Sequence, residues 1–438
     1  YEISACLVGS EMCIRDRHDV VHRICFTQFV HPLKEGKMAI RTTHVGSLPR
    51  TAELLDANSR RKDMGEQMFA QVLQKSVNDV VSRQHEIGID WVNDGEYGHA
   101  MTESLDFGSW WSYSFSRFGG IELTDEPSEL APPAPGSRIT LVDFEDRRDW
   151  QDFSDVYADP SSAVLPHSWK RNADDGGSIA PVLPVITGPL TYTGAEAVRQ
   201  DIDGLVTALD ANGIDRRDGF IAAVSPGSAA RLHNAYYAND EEVVQACAQV
   251  LREEYLAITQ AGLTVQIDDP SLAESWDQIN PAPSVEDYRR YIQVRCDAIN
   301  TALEGIDPAQ VRLHLCWGSW HGPHTTDIPL REIVDNVLTV NAKYLSFEAA
   351  NARHEHQWTV WDEVDLPKDR VLIPGVVGHS TNVVEHPEFV AQRIGRFVQI
   401  VGADRVIAST DCGLGGRIHP SLAWAKLNSL AQGARLVD

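Results

Sequence analysis

The chain has 438 residues, 43% of them hydrophobic, enough for one large barrel or two ordinary domains. Lys and Arg total 38 against 63 for Asp and Glu, a formal net charge of −25 that repels phosphate backbones and anionic headgroups and so argues against nucleic acid or a membrane as partner. No apolar run approaches the roughly 20 residues of a bilayer span. Seven cysteines in so long a chain make no disulfide framework, which fits a reducing, cytoplasmic setting.

Residues 1–37 read as foreign to the rest. The segment "YEISACLVGSEMCIRDR" lacks the ordered basic, apolar and small-residue regions of a signal peptide and is similar to a translated adapter-derived string. Met38 opens "MAIRTTHVGSLPR", the more convincing start. The expected organisation is a non-native or disordered leader over 1–37 and one catalytic domain over 38–438.

From Met38 onward, short apolar strands alternate with amphipathic helical stretches. The strand candidates are "RTTHVGSL", "IDWVNDGE", "PVITGPLT", "FIAAVSPGS", "LTVQIDDP", "VRLHLCWGS", "KYLSFEAAN", "RVLIPGVVGHS" and "RVIASTDCGLG". Helical spacing is clearest in "DEEVVQACAQVLREEYLAITQAG", which stops at Gly262 as a C-cap would, and in "SVEDYRRYIQVRCDAINTALEGI". Alternation sustained this long implies a parallel sheet, and about eight repeats imply an α/β fold of the (β/α)8 TIM-barrel type. Nine candidates are one too many for staves, and the short "THVGSL" segment is the expected extra. An open Rossmann sheet would call for a Gly-rich phosphate loop after the first strand, and none is present. Residues 105–178, rich in aromatics, Pro and acids, are too long for a plain connection and read as an inserted lid-like segment or a dimer contact.

Each strand candidate ends in a polar residue or Gly: Glu96, Thr187, Ser225, Asp268, Cys316, Glu348, His379 and Cys412. In a barrel those ends converge on the rim where active sites are built. His314 and Cys316 lie two apart on one strand, so their side chains share a face. Zinc takes Cys sulfur and His nitrogen readily, and Glu348 and Cys412 each offer one further ligand from a later strand. Magnesium would ask for oxygen ligands alone. The residues by themselves point to a zinc enzyme that activates a thiol.

The ordered set "THVGS", "NDGE", "TGPLT", "QIDDP", "HLC", "FEAAN", "GVVGHS" and "DCGLGGR" resembles the cobalamin-independent methionine synthase family, specifically its catalytic C-terminal barrel, from about Arg41 to the C-terminus. The resemblance implies zinc on His314, Cys316, Glu348 and Cys412, the four positions already reached from spacing. It implies an acid at His379, expected to titrate near neutrality and to protonate the leaving nitrogen of the donor. It further implies that Gly46 and Ser47 hold the carboxylate of homocysteine, and that Glu96 and Asp268 hold its ammonium. The implied reaction is methyl transfer from a small-molecule donor to a thiol, homocysteine giving methionine, with the thiol held as thiolate on zinc.

Departures from the family bear on the donor. The N-terminal barrel of the full-length synthase has no counterpart here, and Ala195 stands where the family places a stacking Trp. Tyr192, Trp317, Trp110 and Trp111 are the aromatic replacements on offer. His321, His324, His354 and His356 read as polar rim residues, with a second metal as the sharper alternative. Competing readings are alkyl transfer to another thiol such as coenzyme M, a metal-free uroporphyrinogen-decarboxylase-like enzyme, and a non-catalytic zinc or thiol-metabolite binder. Oligomeric state stays open, a homodimer included.

Overall fold

The computed structural model describes residues 40–99, 113–123, 129–162, 164, 184–318 and 320–437. Chain contacts divide the sequence into two units, 1–37 and 38–438. The leader expected over 1–37 lies outside the described residues, and the barrel belongs to the second unit.

Eleven strands run through the described residues: β1 (Arg41–Thr42), β2 (Val92–Asn93), β3 (Phe118–Glu122), β4 (Val185–Tyr192), β5 (Gly219–Val224), β6 (His233–Asn234), β7 (Thr264–Asp269), β8 (Val311–Leu315), β9 (Tyr344–Phe347), β10 (Val371–Val377) and β11 (Ile407–Thr410). Eight of them pair in parallel in the order β1-β11-β10-β9-β8-β7-β5-β2. The two edges of that sheet meet. Asp90 N and Trp91 N both donate to the Thr42 carbonyl, at 3.1 and 3.0 Å, and Thr43 Oγ1 donates to the Trp91 carbonyl at 2.9 Å. With no edge left over, the sheet closes as the expected (β/α)8 barrel.

The extra strand is not the one expected. "RTTHVGSL" supplies β1, a true stave although only two residues long, because its backbone bonds β11 on one side and the β2 segment on the other. "PVITGPLT" is the outsider. It forms β4, which pairs antiparallel with β3 and parallel with β6 in a separate three-stranded sheet, and Thr187 leaves the barrel rim with it.

Helices Asp240–Gln260 and Val285–Ala302 start where Asn239 and Ser284 accept the Glu242 and Asp287 amides, ordinary N-caps for orphan helix donors. Their apolar faces cover the outside of the barrel; Val244, Leu251, Tyr255, Ile292 and Ile299 are buried there. Inside the barrel, Trp91, Phe220, Val371, Ile373 and Ile407 form a separate apolar plug. Arg312 crosses it, fully buried. Its guanidinium lies 3.9 Å from the Phe220 ring centroid and donates to Thr43 Oγ1 and the His44 carbonyl at 3.1 and 3.0 Å. This plug closes the lower half, so chemistry is left to the upper rim.

The described part of the insertion is ordered cover. β3 comes from it, and Trp150, Tyr157 and Val164 make a small aromatic cluster with Phe144, Phe153 and Trp320. Val142 N donates to the Gln278 carbonyl at 2.9 Å, Arg147 pairs with Glu274, and Asp149 accepts from Thr325 N at 2.9 Å. The segment thereby roofs the loops that follow β7 and β8. Trp110 and Trp111 lie outside the described residues.

Candidate functional site

Alternation along β8 turns Arg312 and His314 into the barrel, and Cys316 continues that face just past the strand end. Cys412 arrives from the loop after β11. One ligand atom from each of His314, Cys316 and Cys412 lies within 4.8 Å of the others, all three residues buried. His314 Nδ1 is 3.0 Å from Ser346 Oγ, whereas its Nε2 has no hydrogen-bond partner. A buried imidazole nitrogen held bare beside two sulfurs is costly unless something binds it. The hydrogen bond between the sulfurs pushes Cys316 well up and holds Cys412 well down. An imidazole nitrogen and two sulfurs make a soft donor set that fits zinc.

Glu348 lies in an adjoining buried group, where one ligand atom each from Glu348, His379 and Asp411 again fall within 4.8 Å. The structure thus gathers three of the four expected ligands in one group and places the fourth in the next. Trp317 N donates to Glu348 Oε1 at 3.0 Å and Asn351 Nδ2 to Oε2 at 2.7 Å. The same Asn351 amide reaches Asp411 Oδ2 at 3.0 Å, and Asp411 Oδ1 accepts from Ala349 N and Ala350 N, each at 2.8 Å. Asp411 therefore fixes the turn that carries Glu348. Gly375 on β10 allows this, since a Cβ there would overlap the Asp411 carboxylate and backbone.

His379 differs from expectation in its charge. Burial takes its pKa down to about 3, outweighing the pull of Cys412, so the ring is neutral rather than titrating near neutrality. Its Nδ1 has no partner, and its ring centroid is 6.4 Å from that of His321, whose Nε2 is likewise bare.

The expected acceptor-binding residues assemble beside this centre. Ser47 lies against the Cys412 turn, its carbonyl accepting from Leu414 N and Gly415 N at 2.8 and 2.9 Å. Gly46 has φ 142, and a Cβ there would overlap Glu96 Oε1, so only glycine lets that carboxylate reach the turn. Glu96 itself sits at φ 58, a left-handed conformation costing about 1–2 kcal/mol, held by Asp94 Oδ1 accepting its amide at 2.9 Å and by Arg50 on its carbonyl at 2.9 Å. Strain tolerated to aim one carboxylate is a mark of function. Burial raises Glu96 well above the usual carboxylate range, and Asp268 and Asp94 add to that. Burial also raises Asp268, to about 6. Two such acids, near enough to repel, make a place for a cation.

Period-two alternation separates the neighbouring acids of "DDP". Asp269 accepts from Ser271 Oγ at 2.5 Å and Leu272 N at 3.2 Å and thus fixes the turn. Asp268 points into the barrel and accepts from Gln266 Nε2 at 2.8 Å.

Sequence reasoning missed Ser346, Asn351, Asp411 and Gln266, each of which orients a candidate residue. Asn351 and Asp411 sit inside the quoted "FEAAN" and "DCG" strings, which was the available signal. Among the aromatic replacements, Tyr192 donates to Glu254 at 2.6 Å, while Trp317 stacks against His354 at 4.1 Å. His324 and His354 both bond Asp327, at 3.2 and 3.0 Å, and His356 is exposed.

Residues 223–435 match the family model described as cobalamin-independent synthase, catalytic domain. A 5-methyltetrahydropteroyltriglutamate–homocysteine methyltransferase of Bifidobacterium animalis is 21% identical over 407 residues, 91% of this chain and 43% of that protein. A 2-hydroxypropyl-CoM lyase of Xanthobacter autotrophicus is 25% identical over 234 residues, 47% of this chain and 57% of that protein. The chain thus spans less than half the length of the curated homocysteine methyltransferases it matches first. Among solved structures, a B12-independent methionine synthase from a Shewanella species, in complex with selenomethionine, superposes with a TM-score of 0.63 at 17% identity, covering 91% of this chain and 97% of that one. A putative vitamin-B12-independent methionine synthase from Listeria monocytogenes gives 0.59 at 16% identity, covering 91% and 98%. These two likenesses establish the fold. No helix among the described residues is long and apolar enough to cross a membrane.

Proposed function

We propose that this chain, whose residues 223–435 match the cobalamin-independent synthase catalytic-domain model, is a zinc-dependent methyltransferase whose acceptor is a thiol, homocysteine, giving methionine. The observation that carries the reading is the bare Nε2 of His314 buried beside the sulfurs of Cys316 and Cys412. In this proposal His314, Cys316 and Cys412 would hold the metal, with Glu348 of the adjoining group as the fourth ligand. Bound zinc supplies a Lewis acid that keeps an acceptor thiol deprotonated at neutral pH.

The protein's own residues do the rest. Glu96 and Asp268 hold the acceptor's ammonium, while the Gly46–Ser47 turn takes its carboxylate; because Ser47 packs on the Cys412 turn, the acceptor's position is tied directly to that of the metal. His379 gives a proton to the leaving atom of the methyl donor; burial opposes its charged form and Cys412 favours it. Gln266 and Asn351 keep Asp268 and Glu348 in place. The described cover over 129–162 excludes water from the rim and belongs to the same catalytic domain. The setting is the cytoplasm, where thiols stay reduced.

A second acceptor class is raised by the CoM lyase relative. Glu96 and Asp268 disfavour it, since two carboxylates repel a sulfonate and attract an amine. Asp268→Asn separates the two. It is expected to weaken homocysteine binding about tenfold or more, the worth of a charge-assisted contact, and to leave an amine-free thiol such as 3-mercaptopropionate no weaker. Titration calorimetry of both thiols on the zinc-loaded protein reads this out; equal losses would remove the ammonium-binding role.

A further inference from the structure

The turn that aims Glu96 leaves a second polar group bare. Asn93 ends β2 and is fully buried. Its Oδ1 accepts from Gly95 N at 2.8 Å, and this fixes the amide's orientation, because the flipped form would set two donors against each other. The backbone is also pinned: Asn93 N donates to Gln84 Oε1 at 3.0 Å and Gln84 Nε2 to the Asn93 carbonyl at 2.8 Å. Nδ2 is therefore committed to one direction, and it has no hydrogen-bond partner. A buried donor left unpaired in so rigid a setting is costly without a ligand.

Gly46 marks where that donor points. A Cβ at Gly46 would come 3.5 Å from Asn93 Nδ2 and would overlap Glu96 Oε1. The Asn93 donor and the Glu96 carboxylate thus lie on the same side of the Gly46 backbone, with Asp268 near enough to raise the Glu96 carboxyl further. An α-amino acid has the complementary pattern, an ammonium for the acids and a carboxylate for the amide.

We propose that Asn93 donates through Nδ2 to the α-carboxylate of the acceptor and so selects an amino-acid thiol over a thiol amine lacking that group. The proposal rests on the thiol-acceptor reading above. Its test is calorimetric binding of L-homocysteine and 3-mercaptopropylamine to zinc-loaded wild type, Asn93→Asp and Asn93→Ser. Asp keeps an acceptor for Gly95 N and removes the donor; Ser removes the amide without adding charge and stands in should Asp fold poorly. Both variants are expected to lose homocysteine affinity about 10- to 100-fold while binding 3-mercaptopropylamine at least as well as wild type. Equal losses on both thiols, or none on homocysteine, would overturn the Asn93 role and leave the thiol reading standing. Failure of the zinc-loaded wild type to bind homocysteine would overturn both.

Discussion

Cys412→Ser is expected to raise the dissociation constant for zinc far more than 100-fold and to abolish methyl transfer. Loss of groups that merely orient a ligand costs about 10- to 100-fold in metal affinity, and in this reading Cys412 is itself a donor, its pKa held well down by the hydrogen bond with Cys316. Serine keeps size and polarity but stays a protonated hydroxyl at neutral pH, so the set loses a soft anionic donor. The turn that carries Cys412 also supports Ser47 through two amide bonds, which a Ser side chain leaves intact. The variant should therefore melt normally once metal is stripped from both proteins. Competition with a chromogenic chelator measures the affinity, and an active, fully metallated Cys412→Ser protein would remove this residue from the ligand set.

The second large effect is on stability and lies away from the metal. Arg117, on the insertion just before β3, is buried with Asp201 and Glu254. It pairs with Asp201, reaches Glu254 Oε2 at 3.1 Å and donates to Tyr113 Oη at 2.7 Å while lying over that ring. The same arginine's carbonyl accepts from Thr193 N at 2.8 Å, tying the insertion to the end of β4. Arg117→Met keeps most of the apolar stem and leaves two buried acids without their cation. Breaking a buried pair this way costs about 3–5 kcal/mol. The sign with pH follows from linkage. Burial already raises Asp201, and the variant removes the arginine that pulls it back down, so the variant's stability is greatest below the unfolded pKa and falls as pH rises through the raised folded value. Urea unfolding should show a deficit that grows from pH 5 to pH 7.5. A deficit below about 1 kcal/mol at pH 7.5 would show that the network is not what joins insertion to barrel.

Barrel architecture was legible because its signal is repetitive: strand, polar end, amphipathic helix, again and again. Choosing the outsider was not. "RTTHVGSL" and "PVITGPLT" look alike as short β segments, and what separates them is which distant backbone they meet, Ala408 and Trp91 for one, β3 for the other. The metal trio was readable from two-residue spacing on β8 plus one thiol at a later strand end. Glu348's place in the next group was not, since it depends on Asn351, Asp411 and the Trp317 amide meeting in space. The charge of His379 escaped for a related reason: composition shows a histidine, while its burial is a property of the closed rim. Asn93 was quoted only as part of a motif, because nothing in the string "NDGE" shows that Gly95 fixes its amide or that Gly46 lies opposite.

The central claim is that His314, Cys316, Cys412 and Glu348 hold one zinc. Elemental mass spectrometry on protein purified without a metal-binding tag tests it most directly. The account predicts close to one zinc per chain, retained through dialysis. Absence of zinc after reconstitution under reducing conditions would contradict it and favour a metal-free barrel chemistry instead.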